Sequence, residues 1–468
     1  MDDTPILFWF RRDFRLADHR GLQAAAATGR PVIPVFILDE VAEGHGAAPK
    51  WRLGLAAEAF DRSLRAMGTR LVFRRGCALK VLRALVAETG AGAVFWSRAY
   101  DPEAVARDTA VKAGLKEDGI DAQSHPGHLL FEPWSVETKT GGFYKVYTPM
   151  WKAVRDRALP QCLPPVESLR PPAHWPRSDA IANWQMGRAM QRGAEVVAPH
   201  TVVGEAPARA RLDRFIAERV QDYATQRDIP SAPGTSGLSE NLTYGEISPL
   251  TCWHAGWRAL HDGKGDAEVF LKELVWREFA YHLAWHTPHM LTENWRPEWD
   301  SFPWSEDDAA ALRWKQGRTG IQLVDAAMRQ MYVTGTMHNR GRMIVASYLT
   351  KHMMTHWKVG RDWFEECLID WDPAANAMGW QWAAGCGPDA APYFRVFNPD
   401  TQAEKFDKTR QYRAKFLGEL FRNHGPEAEA YFAAIPESWD LSIATPYPKP
   451  LVPLDQGRTR ALEAYKAR

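Results

Sequence analysis

Short apolar runs alternate with Ala-rich stretches of helical spacing over the first 131 residues. The apolar runs lie at 6–10, 32–38, 70–73 and 93–96, and the Ala-rich stretches lie near 21–28, 54–67, 78–88 and 103–114. This alternation is typical of βαβ units built around a parallel sheet. The first run continues into Phe10-Arg11-Arg12-Asp13 instead of a GxGxxG turn, so the pattern does not indicate an ordinary dinucleotide-binding domain.

The rest of the chain loses this alternation in two stages. From about residue 132 to 205, Pro, Gly and charged residues become frequent, which predicts a long connector that runs over the surface. Beyond residue 206 a helical period dominates and predicts helices near 207–226, 248–262, 266–286, 321–334, 338–356, 361–369 and 405–423. We therefore expect an α/β domain at 1–131, a connector at 132–205 and an all-helical domain at 206–468.

Composition narrows the classes of function. The 58 Lys and Arg nearly balance 57 Asp and Glu, so a uniformly basic nucleic-acid-coating protein is not indicated and any DNA contact needs a local patch. The five cysteines form no CxxC, which argues against a disulfide framework or a metal site and favours a reducing, cytoplasmic compartment. No uncharged apolar run reaches the length of a membrane span. The 21 tryptophans far exceed average usage, which suggests that indole rings take part in function.

One stretch of the helical half is rich in cations. Residues 313–361 hold nine Lys or Arg and a single acid, Asp325, which makes them a candidate phosphate-contacting surface. A solvated helix face is the alternative interpretation. The nine cations are Arg313, Lys315, Arg318, Arg329, Arg340, Arg342, Lys351, Lys358 and Arg361.

Two helical segments repeat one arrangement of polar and aromatic or Met side chains. Glu273, Trp276 and Arg277 follow i, i+3, i+4 spacing, and residues 339, 342 and 343 repeat it as Asn, Arg and Met, so each set shares one helix face. Such faces suit a pocket for a flat heteroaromatic ligand, although an amphipathic helix explains either one alone. Downstream, Asp370 and Asp372 could accept hydrogen bonds from a ribose or an adenine amine, or could form an Asx turn that starts a helix.

Longer motifs resemble the photolyase and cryptochrome family over essentially the whole chain. They are ILFWFRRDFRL at 6–16, TGIQLVDAAMRQ at 319–330, MHNR at 337–340 and FNP at 397–399, in the family's order and spacing. The resemblance is strongest to class I cyclobutane pyrimidine dimer photolyases. It implies a Rossmann-like, parallel five-stranded α/β domain, a long connector and a C-terminal all-helical domain that binds FAD.

The resemblance also implies cofactor residues. The expected phosphate contacts are Tyr223, Thr235, Ser236, Leu238 and Ser239, and the expected contacts to the rest of FAD are Arg277, Asn339, Arg342, Asp370 and Asp372, with Asn376 facing the flavin N5. Family members also hold an antenna chromophore, a folate (MTHF) or a deazaflavin, on the N-terminal domain. Glu103 stands where a carboxylate would contact the folate, but no lysine stands near 291–293, so the antenna is left open.

A lesion pocket and an electron path follow from the same resemblance. Glu273, Trp276, Met343 and Trp382 match the pocket for a flipped-out pyrimidine pair, with Arg227 as a further DNA contact. The residues Trp380, Trp357 and Trp314 match the tryptophan chain that carries an electron from solvent to the flavin. With reduced FAD as the light-driven donor, the expected catalytic residues are Glu273, Asn376, Trp380, Trp357 and Trp314.

Some features depart from the family pattern or leave alternatives. Thr336 and Gly237 stand where the family usually has Trp and Arg, and Trp371 replaces a small residue. A cryptochrome-type blue-light receptor is disfavoured by the lesion pocket and by the lack of a C-terminal extension. A (6-4) photolyase is disfavoured because His338 precedes Asn339 rather than a second histidine. The expected protein is a cytoplasmic monomer that acts on DNA containing UV-induced pyrimidine dimers.

Overall fold

The computed structural model describes residues 3–393 and 395–468. Its N-terminal part is built on a parallel five-stranded sheet with strand order β3-β2-β1-β4-β5. Every residue of the first two strands and of the fourth is buried, because helices cover both faces of a parallel sheet. The strands are β1 Ile6–Phe10, β2 Val32–Leu38, β3 Val72–Arg75, β4 Ala93–Ser97 and β5 Asp121–His125.

The parallel sheet predicted from the apolar runs is confirmed. The first two strands have the predicted bounds, whereas β3 begins two residues later than the third apolar run. β5, with the sequence DAQSH, lies at the sheet edge and pairs only with β4, so its polar side chains gave no apolar run to detect. The helices that surround the sheet are α1 Arg20–Ala27, α2 Glu40–Glu43, α3 Ala47–Ala66, α4 Ala78–Thr89 and α5 Pro102–Glu117.

The rest of the described chain is mostly helical, apart from irregular stretches such as 157–180. Its α-helices are α6 Tyr147–Val154, α7 Gly193–Val197, α8 Glu205–Glu218, α9 Tyr223–Gln226, α10 Ser239–Thr243, α11 Pro249–His261, α12 Ala267–His286, α13 Ala309–Lys315, α14 Gln322–Thr334, α15 Asn339–Ser347, α16 Trp357–Cys367, α17 Pro373–Ala384, α18 Pro399–Phe406, α19 Gln411–Phe416, α20 Pro426–Ala434 and α21 Leu454–Lys466. A π-helical turn, Tyr348–His352, continues α15. Short 3₁₀ turns lie at Pro133–Ser135, Ile181–Trp184, Arg188–Met190, Ala198–His200, Val220–Asp222, Pro288–Leu291, Pro297–Trp299 and Glu437–Trp439.

Two predicted helices are wrong as single elements. The segment 207–226 contains α8, the 3₁₀ turn Val220–Asp222 and α9. The segment 405–423 contains the end of α18 and the separate helix α19. Asp407 divides them, because its carboxylate accepts hydrogen bonds from the backbone N–H of Tyr412 at 2.9 Å and of Arg413 at 3.2 Å. These N–H groups lie in the first turn of α19 and have no acceptor within the helix, so the carboxylate caps α19 and marks its start.

The connector is partly buried: its helix α6 belongs to the core, whereas most residues of 157–180 are exposed or half-buried. The side chains of Tyr147, Met150 and Trp151 in α6 are buried in the same apolar cluster as Phe279 of α12. The predicted boundaries at 131 and 205 stay predictions. Within residues 3–393 and 395–468, no helix is both long enough and apolar enough to cross a bilayer.

Candidate functional site

Three packed helices carry nine of the nineteen predicted site residues. Helix α17 packs against both α12 and α15. Asp372 starts α17 by accepting a hydrogen bond from the backbone N–H of Ala375 at 2.9 Å, with Pro373 at the first helical position. The residues of α12, α15 and α17 that the sequence singles out are therefore brought to one region of the helical domain.

Two buried aspartates mark the start of α17, and both have cationic or hydroxyl partners. Asp370 accepts two hydrogen bonds from Nη2 of Arg342, at 2.9 and 2.7 Å. The Oδ2 atom of Asp372 accepts a hydrogen bond from the Tyr281 hydroxyl and lies 3.5 Å from Nη2 of Arg12. Arg12 follows β1, so the first sequence motif reaches the helical site. Arg12 and Tyr281 were not predicted as site residues, and sequence spacing gives no signal for contacts this distant along the chain.

The face of α17 beyond these aspartates is open. Asn376 is half-buried, and its Nδ2 donates a hydrogen bond to the Arg361 carbonyl at 3.0 Å. One turn on, Gly379 is exposed, and a Cβ added there would meet no atom within 4 Å. The Nε1 of Trp380 is buried without a hydrogen-bond partner among the described residues. An amide beside bare helix backbone fits a flat ring system with hydrogen-bonding edges, so these residues fit the expected flavin.

A hydroxyl-rich turn precedes α10. Thr235 and Ser236 are half-buried and Ser239 is exposed, so their hydroxyls can reach a ligand, while Leu238 is buried. Gly237 has a φ of +67°, a conformation that favours glycine, and the Arg211 side chain lies 3.5 Å from where its Cβ would be. Tyr223, at the start of α9, is buried. Neutral hydroxyl donors of this kind suit phosphate oxygens.

Two of the predicted cofactor residues have their side-chain partners outside the aspartate network and the hydroxyl-rich turn. Arg277 donates a hydrogen bond to the His128 carbonyl at 2.8 Å and also lies 2.8 Å from the Nε2 atom of the same histidine. Burial, together with the Arg277 charge, holds the pKa of His128 well below its usual value. Asn339 is exposed at the start of α15, where its side-chain amide lies 4.0 Å from the Met343 sulfur. The roles of Arg277 and Asn339 therefore stay predictions.

The predicted lesion residues lie on the same three helices. On α12, the Glu273 carboxylate forms an ion pair with Arg227. The predicted lesion residue and the predicted DNA contact therefore lie side by side. The Trp276 ring stacks on Tyr147, with 3.7 Å between ring centroids and 4° between planes. On the other two helices, Met343 and Trp382 are half-buried.

Tyr147 is a site residue that the sequence reasoning missed. Its hydroxyl donates a hydrogen bond to the Lys272 carbonyl at 2.7 Å, and its backbone N–H donates one to Asp389 at 3.2 Å. Tyr147 therefore packs behind the Trp276 ring, and these two hydrogen bonds hold Tyr147 in place. The aromatic run Phe143-Tyr144-Lys145-Val146-Tyr147 in the connector was the only sequence signal for it.

The roles of Trp380, Trp357 and Trp314 in electron transfer stay predictions, and the structure shows how these rings are packed. Trp314 is 0% exposed and contacts Trp380 directly, with ring centroids 5.9 Å apart, so it does not stand at a solvent end. Trp357 is also fully buried, and its ring lies 5.7 Å from that of His356, which lies 5.3 Å from the partly buried Trp304. Trp304 was not predicted, because nothing in its local sequence distinguishes it from the other tryptophans.

A cavity of about 390 Å³ lies between the sheet and the helical part. Its walls include Asp39 and Glu103 beside the carboxyl ends of the strands, and Leu291 and Trp371 across from them. Ligands of open parallel sheets bind at this edge. The Trp371 ring contacts His45 at 5.1 Å, and its Nε1 is buried without a partner among the described residues. The cavity extends to Asn376, so it adjoins the open face of α17.

Most cations of the segment 313–361 are paired within the protein, so the structure gives little support to the candidate phosphate-contacting surface. Six of its nine cations form ion pairs with carboxylates of the protein. Arg329 is fully buried with Glu419, and Lys351 is 1% exposed. The local excess of positive charge is thus largely compensated by acids outside the segment, some just beyond its ends (Asp307, Asp362) and some far along the chain (Asp228, Glu419).

Comparison with known proteins identifies the family. Residues 6–172 match the DNA photolyase model, and residues 270–467 match the FAD binding domain of DNA photolyase. A deoxyribodipyrimidine photo-lyase of Agrobacterium fabrum is 42% identical over 99% of this chain and 98% of its own length. The solved structure of a class III photolyase from Agrobacterium tumefaciens has 41% identity and a TM-score of 0.92, covering 100% of this chain and 98% of that one. A Synechocystis cryptochrome structure has 26% identity and a TM-score of 0.86, covering 99% and 100%. The chain belongs to the DNA photolyase family.

Proposed function

We propose that the protein is a deoxyribodipyrimidine photo-lyase that uses light to split cyclobutane pyrimidine dimers in DNA. The observation that carries the proposal is the convergence of two kinds of surface on packed helices. Glu273 and Trp276 on α12 offer a carboxylate and an aromatic plate to bases, and Asn376 and Gly379 on α17 offer an open face to a flat ring. The Agrobacterium relative bears the name of this activity.

The cofactor of this reaction is FAD. When bound and reduced, FAD supplies a light-driven electron to the dimer and recovers it after the ring has split. The hydroxyls of Thr235, Ser236 and Ser239 are assigned to its phosphates. The ion pair of Arg342 with Asp370 and the network around Asp372 are assigned to its polar edges. Asn376 is assigned to the flavin N5, because a neutral amide can hydrogen-bond to that atom without adding charge.

The lesion pocket works through exchange of partners at Glu273. In the absence of DNA its carboxylate is paired with Arg227. A DNA phosphate can take over Arg227, which frees Glu273 to accept hydrogen bonds from base N–H groups of the flipped dimer. Trp276, backed by Tyr147, packs against the apolar cyclobutane face. Trp382 and Met343 complete the wall.

The buried indoles are assigned to electron supply. Trp380 packs against Gly360, where even a Cβ would overlap its ring, and Gly360 lies one turn beyond Trp357 on α16. An electron path from Trp357 through the His356 ring leads to Trp304, whose ring is partly exposed. Trp314, in contact with Trp380 but fully buried, is a side branch on this assignment.

The cavity at the sheet edge is assigned to the antenna chromophore. Its volume and mixed lining are within the range of pockets for aromatic cofactors. Glu103 lies in its wall, which supports a folate, but Leu291 and Thr292 offer no cation there. A deazaflavin would pack its rings against Trp371 and His45 without needing that cation.

We further propose that the enzyme is a monomer and that it lies in the cytoplasm. Five free cysteines support a reducing compartment. The expected class I membership stays a prediction, and the similarity to a class III structure favours class III. A cryptochrome-type receptor is the second candidate, because a cryptochrome shares the fold at a TM-score of 0.86.

Lesion specificity distinguishes these candidates. The purified, reduced flavoprotein is illuminated with blue light in the presence of duplexes that carry either one cyclobutane dimer or one (6-4) photoproduct. The proposal predicts light-dependent loss of the cyclobutane dimer only. Repair of the (6-4) product, or repair of neither lesion by a protein that retains flavin, would contradict it.

A further inference from the structure

Lys351 is buried in an unusual way. Its side chain lies in the π-helical turn Tyr348–His352 and is 1% exposed. The ammonium donates a hydrogen bond to the Arg395 carbonyl at 3.0 Å and lies 5.2 Å from the centroid of the Tyr393 ring. Among residues 3–393 and 395–468, no carboxylate forms an ion pair with it. A buried ammonium without an acid partner is costly, so packing alone does not explain the lysine.

The hydrogen-bond acceptor of Lys351 belongs to a loop that borders the lesion pocket. We call residues 386–398, between α17 and α18, the α17–α18 loop. It begins shortly after Trp382, and its Asp389 accepts the hydrogen bond from Tyr147, the residue stacked on Trp276. At its other end, the backbone N–H of Phe397 donates to the Ser347 hydroxyl at 3.3 Å. The loop therefore joins both aromatic walls of the pocket to the turn that carries Lys351.

This end of the loop carries uncompensated positive charge. Arg395 is exposed, and no ion pair of its guanidinium is recorded within the described part of the chain. Burial, followed by the Arg395 charge, lowers the pKa of Lys351 to about 8, and the nearby Cys386 thiol partly opposes this shift. No carboxylate among the described residues is paired with either cation. An external anion can pair with the exposed Arg395 guanidinium. A DNA backbone phosphate beside the flipped dimer carries the required negative charge.

We propose that Lys351 is a positioning residue for DNA binding: it fixes the backbone of the α17–α18 loop so that Arg395 meets a phosphate next to the lesion. This inference rests on the proposed repair function. It does not assign Lys351 any contact with the flavin or with the dimer itself.

Stability and function should respond in opposite directions to K351M. Methionine keeps most of the stem but removes the charge and the donor, and an apolar side chain in a buried site costs less than an unpaired ammonium. We expect an unchanged or raised melting temperature and normal flavin content. We expect affinity for a dimer-bearing duplex, measured by fluorescence anisotropy in the dark, to fall roughly tenfold, the scale of a charge-assisted hydrogen bond. The matched control is K408M, which removes an exposed lysine of the same domain and should bind within about twofold of wild type.

A double-mutant cycle tests the route through Arg395. R395A should weaken binding and reduce the slope of log affinity against log salt by about one, as loss of one phosphate contact does. K351M in the R395A background should then cost no more than about twofold, because residues acting on one contact are not additive. K351R, which keeps the charge and a donor, should retain the wild-type salt slope and supplies the comparison if K351M does not fold.

Three results would overturn the proposal. They are wild-type affinity in K351M, a loss of affinity in proportion to lost stability or flavin, and losses that multiply in the double variant. Failure of the repair proposal looks different: the wild-type protein itself would then bind the damaged duplex no more tightly than the undamaged one.

Discussion

The stack of Tyr147 on Trp276 gives the most quantitative prediction for the lesion pocket. The two rings are nearly parallel at 3.7 Å, and the Tyr147 hydroxyl is held by the Lys272 carbonyl at 2.7 Å. Trp276 is half-buried, so Tyr147 covers part of the plate that is proposed to receive the dimer. Replacing Tyr147 by leucine removes both the ring and the hydroxyl, whereas phenylalanine removes only the hydroxyl.

The magnitude follows from these two contacts. An aromatic pair contributes about 0.5–1.5 kcal/mol beyond its burial, and a neutral hydrogen bond contributes about 0.5–1.5 kcal/mol. Y147L therefore loses about 1–3 kcal/mol that holds Trp276 in place. If about half of this appears as lost preorganisation, affinity for the dimer falls roughly three- to tenfold. Y147F keeps the stack and should lose no more than about threefold.

The assay compares binding of a dimer-bearing duplex with binding of the same duplex without damage, in the dark. Y147L should lose affinity for the damaged duplex only, and flavin content should not change. In a W276A background the Y147L substitution should have little further effect, because the two rings act as one unit. Equal binding by Y147L, Y147F and wild type would refute the assignment of Trp276 as the receiving plate. An equal loss on undamaged DNA would do the same.

Three further changes test other parts of the site. E273A should reduce repair roughly ten- to a hundredfold while flavin absorbance is retained, since only a charged hydrogen bond to the bases is lost; unchanged repair would remove Glu273 from the pocket. W380F should block photoreduction but leave repair by chemically reduced protein intact, and W304F should slow photoreduction more than W314F if Trp304 is the exit; normal rates in W380F would contradict the path. Glu278 is a buried residue of α12 whose Oε2 accepts hydrogen bonds from the backbone N–H groups of Leu130 and Phe131. Burial raises its pKa to about 7 from 4.5, so wild-type stability should fall as pH rises through this window. E278Q should abolish that slope and gain up to about 3 kcal/mol relative to wild type at pH 8, seen as a melting temperature that no longer falls with pH.

The sequence predicted well the elements whose buried residues recur at a regular local spacing. β1 and β2 are apolar throughout because helices cover both sheet faces, and the i, i+3, i+4 sets on α12 and α15 fall on real helices. β5 was not visible in the pattern because an edge strand with polar side chains has no apolar period.

Most of the missed features are contacts between distant segments. The Tyr147 stack, the approach of Arg12 to Asp372 and the pairing of Arg329 with Glu419 all join parts of the chain that no spacing rule relates. The two interpretations of the cation-rich segment could not be separated for this reason, since several of its compensating acids, such as Glu419, lie far along the chain. The order of the tryptophans also depends on burial, which tryptophan content alone does not give: Trp314 is enclosed whereas Trp304 is partly exposed.

The central claim is that a flavin on the open face of α17 drives repair in the adjoining lesion pocket. Its most direct test is an action spectrum: the rate of dimer loss from a damaged oligonucleotide, measured at a series of wavelengths with purified, reduced protein. We predict that the rate follows the absorption of the bound chromophores and is zero in the dark and in protein stripped of flavin. Dimer loss that proceeds without light or without flavin, or a flavin-loaded protein that leaves the dimers intact at every wavelength, would contradict the account.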